Sequence, residues 1–210
     1  MSIGKIRLIA LVGLILSAYA VYVEYKIEAQ HAAQEERDRL LAEAQAEAQA
    51  AADESSSDGT TTLAPSRLQE LLQADPLEEF QSLCDIEAIG ASCSKVFSLP
   101  EGKMLSLFGI VPHGHVLDVP NAVLGCIYYT LVLVLVGMAS TKTLVKRLIQ
   151  FATLMAFSSS VFLAYQLTFV VHDLCVLCWS THVLNTTLLV RLVLRPSLTW
   201  STTTTKPKKH

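Results

Sequence analysis

Charge is scarce in this chain. Only 17% of its 210 residues are Asp, Glu, Lys or Arg, 51% are hydrophobic, and the mean hydropathy is +0.42. That balance excludes an ordinary soluble domain of this length and gives no basic face for nucleic acid, so a membrane protein is the first expectation. Acidic residues are absent from both ends, since all 19 lie between Glu24 and Asp173. Cysteine is sparse too. Five residues, at 84, 93, 126, 175 and 178, are too few for the dense disulfide framework of a small secreted domain. They fall instead as two close pairs and a singleton, which is the arithmetic of a dithiol relay.

What is present is a series of apolar runs. Leu8 to Val23, flanked by Lys5 and Arg7, reads as a retained signal anchor rather than a cleaved signal peptide. Tyr19, Tyr22 and Tyr25 overwrite the small-x-small cleavage pattern and suit a membrane interface. Asn121 to Met138, Leu148 to Val171 and Leu174 to Leu194 each approach the roughly 20 residues a bilayer demands. The expected fold is an all-α membrane protein: a four-transmembrane-helix bundle with a luminal redox loop and short amphipathic cap segments.

Its parts are the anchor at 1–26, an acidic low-complexity insertion at 27–66, the redox loop and cap at 67–120, three spans at 121–195 and a tail at 196–210. Residues 27–54, rich in Ala, Glu and Gln, can form a solvated helix with no face to bury, and 55–66 is a flexible linker. Leu68, Leu71 and Leu72 start a short amphipathic segment, and Met104 to Val111 is an apolar stretch too brief to span. Placing Lys5, Arg7, Lys142, Lys146, Arg147, Arg195 and the terminal lysines in the cytosol satisfies the positive-inside rule. Both termini are then cytosolic, and Cys84, Cys93, Cys175 and Cys178 share the luminal, oxidising side.

Cys175 and Cys178 form a C-x-x-C at a helix start, where two sulfurs share a face and the helix dipole favours a thiolate. Zinc and a purely structural disulfide are the competing readings. Cys84 and Cys93 bracket a small-residue loop that alone reads as structural; opposite a membrane-edge dithiol it reads as the outer half of an exchange chain. Cys126 reads as a buried small hydrophobe. A two-electron acceptor at a bilayer edge points to a quinone held among the spans, against Val123, Leu124, Tyr128, Phe157 and Leu174. Asn121 is either a donor to a ring carbonyl or a helix N-cap, and His182 either a second donor or a packing residue. The sequon at Asn185 sits inside a span and reads as inert.

Four ordered segments, LVGLILSAYAVYV at 11–23, CDIEAIGASCSKVF at 84–97, NAVLGCIYYTL at 121–131 and DLCVLC at 173–178, resemble the vitamin K epoxide reductase family. The resemblance implies a bundle in the endoplasmic reticulum membrane that reduces vitamin K 2,3-epoxide to the quinone and on to the hydroquinone, in the warfarin-sensitive type. It binds no tight cofactor and no metal; the vitamin, or another quinone, is the substrate. By the same resemblance Cys178 attacks the substrate and Cys175 resolves the adduct. Cys93 and Cys84 relay electrons from a luminal thioredoxin-like dithiol protein, with Asn121, Phe97, Leu124 and His182 at the substrate and membrane lipid around the spans. The last five residues, from Lys206, fit a K-x-K-x-x retrieval signal. The chain departs from the family in having His182 where a tyrosine hydroxyl is usual, a longer span between the loop cysteines, and the 27–66 insertion. Two other readings remain open: a quinone-linked oxidase of the same fold that makes disulfides, and a four-span scaffold without activity.

Overall fold

Four helices in the computed structural model are long and apolar enough to cross a membrane, one for each run that hydropathy singles out. The structure describes residues 3–55, 80–86, 90–97, 103–112, 115, 117–138 and 142–196. In chain order the helices are α1 (Ile3–Ser55), the short α2 (Cys93–Phe97) and α3 (Met104–Leu107), then α4 (Asn121–Met138), α5 (Thr143–Gln166) and α6 (Val176–Leu189). α5 is continued by a π-helical turn over Leu167–Val171 and α6 by another over Val190–Leu194. There is no strand among the described residues. Two isolated bridges, Ile86 to Ala91 and Ala91 to Leu174, tie the redox loop to itself and to the segment before α6.

The helix ends differ from the apolar runs for local reasons. α1 passes through residue 26 because the Ala, Glu and Gln that follow are strong helix formers with no breaker among them. α5 starts at Thr143 rather than Leu148, taking Lys146 and Arg147 into its first turns, where long cationic side chains can reach out of the bilayer. α6 starts at Val176 rather than Leu174 because Leu174 is held in the bridge to Ala91 and Cys175 serves as N-cap. Of the expected 104–111 stretch only one helical turn forms, and Gly109, at φ 66°, follows it in the left-handed region. The linker at 56–66, the amphipathic start at 67–79 and the lysine tail lie outside the described residues.

The chain divides into two compact units, Met1–Glu24 with Ser82–His210, and Tyr25–Gln81. The described part of the second is mostly exposed helix, with an Arg39–Glu43 ion pair at 3.2 Å one turn apart. Such exposed pairs contribute about 0.3–0.5 kcal/mol. The first unit is the bundle. At one end Ile6, Val136, Ile149 and Leu192 share a buried cluster, so Lys5, Arg7, Lys142 and Arg195 gather at that end. At the other end Ala20, Leu167 and Leu177 pack around Cys84, Cys93 and Cys175. Charge segregation and cysteine segregation are therefore two faces of one antiparallel topology.

Outward faces carry Ile127, Val134, Phe151, Val161 and Val183, the side chains a lipid-facing surface requires. Several polar groups of the spans are paired. Tyr129 donates to Asn185 at 2.8 Å, and the Asn185 amide donates to Ser160 at 2.7 Å, joining α4, α6 and α5. The sequon asparagine is thus committed inside the bundle. Hydroxyls of Thr153, Ser159, Ser180, Thr186 and Thr187 bond carbonyls one turn back in their own helices. α1 meets α4 closely because Gly13 lies under the Tyr129 ring; a Cβ there would collide with ring carbons. Gly13→Ala is therefore expected to destabilise the bundle by about 1–3 kcal/mol. A lower Tm for the purified protein in detergent, with Tyr129→Ala restoring part of the loss in Gly13→Ala, checks this.

Candidate active site

Leu174 passes its carbonyl to the Ser92 N–H at 3.0 Å, so the loop lies against the chain immediately before α6. Lys95, on α2, adds an ion pair to Asp173 at 2.7 Å. Within the loop, Ile86 and Ala91 exchange both backbone bonds, and Asp85 gathers the ends: its carboxylate accepts the Ser82 N–H at 2.8 Å and the Ser94 N–H at 3.0 Å. Burial works to raise the Asp85 pKa, but the bonds from Ser94 and Ser82 outweigh it and hold the carboxyl below its ordinary range.

These tethers bring the four sulfurs into a row. Cys84 and Cys93 are disulfide-bonded, with Cα atoms 5.8 Å apart. Cys93 Sγ is 3.4 Å from Cys175 Sγ, and both residues are fully buried. Cys175 Sγ in turn accepts the Cys178 N–H at 3.3 Å, a sulfur N-cap to α6. The Cys175 thiol sits below its ordinary pKa, chiefly through its hydrogen bond with the Cys178 thiol and then through the N–H groups of Cys178 and Leu177. Burial and the nearby Asp85 charge oppose this without overcoming it. A nucleophilic sulfur thus lies against one end of a disulfide, the geometry of thiol-disulfide exchange. Among the described residues no cluster of His, Cys, Asp or Glu could hold a metal ion. Cys126, expected to be buried, is half-buried on α4 and forms no disulfide.

Cys178 opens on the other side into a cavity of about 490 Å³ between the spans, in the range that small-molecule sites occupy. Phe97, Asn121, Leu124, Tyr128 and His182 line it; Val123, Phe157 and Leu174, expected to do so, do not. Asn121 begins α4 and its Oδ1 accepts the Met104 N–H at 2.9 Å, so the carbonyl half of the amide secures α3 over the cavity. That fixes which way the amide faces, and it is neither of the two roles weighed from sequence. His182 is set edge-on to Trp179, ring centroids 5.8 Å apart, with both ring nitrogens buried and lacking a hydrogen-bond partner.

A model of the vitamin K epoxide reductase family matches residues 60–193. Vitamin K epoxide reductase complex subunit 1 of Mus musculus is 34% identical over 117 residues, covering 54% of this chain and 69% of the relative. The protein of the same name from Rattus norvegicus is 32% identical over the same shares. The chain belongs to the vitamin K epoxide reductase family. It is accordingly a multi-pass membrane thiol oxidoreductase, and its four apolar helices and its row of sulfurs fit that assignment.

Sequence reasoning passed over Asp85, the Lys95–Asp173 pair and Glu24, which lines the cavity. Asp85 adjoins a cysteine and was readable as a turn residue, whereas partners nearly 80 positions apart leave no local signal. The tether through Asp85 is testable. An amide presents its acceptor to only one of the two N–H groups, so Asp85→Asn should cost the loop about 1–3 kcal/mol. Because the folded pKa is depressed, the native contribution is present above the ordinary carboxylate pKa and fades as pH falls through the lowered value. Amide hydrogen exchange at Ser82 and Ser94 measures both effects.

Proposed function

We propose that the chain reduces vitamin K 2,3-epoxide to the quinone and the quinone to the hydroquinone, with Cys178 as attacking sulfur and Cys175 as the resolving one. The observation that carries this reading is the Cys93 to Cys175 contact at 3.4 Å beside a cavity into which only Cys178 of the four sulfurs faces. Electrons then have one route between the loop and the cavity. The Cys178 thiolate bonds a ring carbon and opens the C–O bond of the epoxide. Cys175 next attacks Cys178, forming their disulfide and returning the C–S electron pair to the ring as water leaves. One epoxide and two thiols give one quinone, one disulfide and one water. Reduction of the quinone consumes a second dithiol: two electrons and two protons pass to the ring carbonyls, the dithiol closes to a disulfide, and no water leaves.

Cys93, once reduced with Cys84, attacks Cys175 of the spent disulfide, and Cys84 closes on Cys93 to release it. A luminal thioredoxin-like dithiol protein is the reading's source of electrons for Cys84. Asn121 and His182 serve as polar contacts for the substrate's oxygens, and Phe97 and Leu124 as apolar ones. The basic end of the bundle supports an endoplasmic reticulum topology with both termini cytosolic and the loop luminal. His182 brings an imidazole where the family resemblance has a tyrosine hydroxyl, so warfarin response is a property to read in the same assay.

The purified protein, given dithiothreitol and vitamin K epoxide, should form the quinone. Cys178→Ala should lose nearly all turnover while accumulating a Cys93–Cys175 mixed disulfide, visible on a non-reducing gel after cleavage between the two. Absent epoxide turnover, with quinone-dependent oxidation of a dithiol protein, would reverse the electron flow. Unimpaired turnover in Cys178→Ala would remove the proposed role of that sulfur.

A further inference from the structure

Sulfur chemistry at Cys178 moves a proton as well as electrons. The thiol must lose its proton to attack, and the oxygen expelled from the ring must gain one. Both events take place in a cavity between apolar helices, where an isolated charge is costly. A nearby group that changes hands with the proton lowers that cost.

Glu24 fits the task by position. It ends the apolar part of α1, is 5% exposed, and lines the same cavity as Cys178 and His182. No other carboxyl lines that cavity among the described residues. An acidic side chain among membrane spans is a functional candidate by default, because leaving it in an apolar interior without a task is expensive. The other titratable groups facing the cavity are Cys178 and His182 on α6 and Tyr128 and Tyr129 on α4, and Cys175, the N-cap of α6, lies against Cys178 from outside it. Residues of α2, α3 and α5 contribute none.

We propose that Glu24 shares one proton with Cys178, taking it from the thiol as the sulfur attacks and handing it to the oxygen that the attack releases. The balance closes within the pair: the S–H bond breaks, the C–S bond forms, the C–O bond breaks, and the alkoxide becomes a hydroxyl. Glu24 returns to its carboxylate and no outside acid is needed. This rests on the epoxide-reducing reading, but the sharing of the proton does not need the substrate.

The pair is active when it holds one proton, so turnover against pH should be bell-shaped in the wild type. With the full chain in lipid nanodiscs, dithiothreitol and vitamin K epoxide, Glu24→Gln should lower kcat by about 10²-fold or more and leave a single rise as the thiol ionises alone. Glu24→Asp should keep the bell at reduced height. Alkylation of Cys178 by iodoacetamide, followed by mass spectrometry, provides the substrate-free readout. In Glu24→Gln its half-maximal pH should fall, because a carboxylate no longer opposes the thiolate. Unchanged alkylation in Glu24→Gln overturns the shared proton whether or not the epoxide is reduced. So does a bell that survives in Glu24→Gln, or one that disappears only in His182→Gln. A wild type that ignores the epoxide yet shows the alkylation shift overturns the substrate and retains the proton pair.

Discussion

The fold depends on holding one sulfur of an irregular loop against the first turn of a transmembrane helix. The Cys93 to Cys175 distance of 3.4 Å cannot be set by either element alone. α6 is fixed by its packing in the bundle, but the loop has little regular structure beyond the short α2 that Cys93 begins and the Ile86 to Ala91 bridge. Its position comes from the Ser92 to Leu174 backbone bond, the Lys95–Asp173 pair and the Tyr19 hydroxyl of α1, which accepts the Leu83 N–H at 2.8 Å, while the Asp85 carboxylate gathers Ser82 and Ser94 within the loop. Lys95 is 65% exposed, so its pair is worth little energetically and serves mainly to set direction. The Ser92 and Leu83 bonds supply the rest. A loop tied this way can yield when Cys93 exchanges partners, whereas a loop built into a sheet would not.

Exchange chemistry also explains why the sulfurs are arranged asymmetrically. Cys175 lies outside α6 as its N-cap, fully buried and within reach of Cys93. Cys178, one turn on, faces the cavity. Each cysteine therefore has one neighbour on each side, and a substrate can meet only one of them. The same contact serves both directions of electron flow, so direction is set by the substrate and the luminal partner rather than by the row itself.

The spans were legible because a bilayer imposes a length and an apolar composition that local sequence must meet. α4 begins and ends at the residues hydropathy marks, and the C-x-x-C was readable at a helix start because that motif is itself local. Other features were not local. The extension of α1 past residue 26 depended on the helix propensity of a segment with no apolar stripe, which hydropathy does not register. Asn121 could be narrowed to a cap or a ligand contact, but its actual bond is to Met104, on a segment that sequence left as an unassigned apolar stretch. The π-helical turns leave no comparable trace; each extends the end of a span, and Leu167 and Val171 of the first line the cavity.

Glu24 shows a different limit. It is the first acidic residue after an apolar run, a place where charge usually ends a span. The bundle instead turns it inward, into the cavity shared by α1, α4, α5 and α6. What decides between a boundary and a buried group is the rotation of α1, set by its close approaches to α4, where Gly13 meets Tyr129 and Ser17 meets Gly125. Helical repeat then carries the rotation along α1: Ser17 and Ala20 line the cavity with Glu24, while Tyr22 is half exposed. A glycine contact midway along the span thus helps to set which chemistry faces the sulfur at its end.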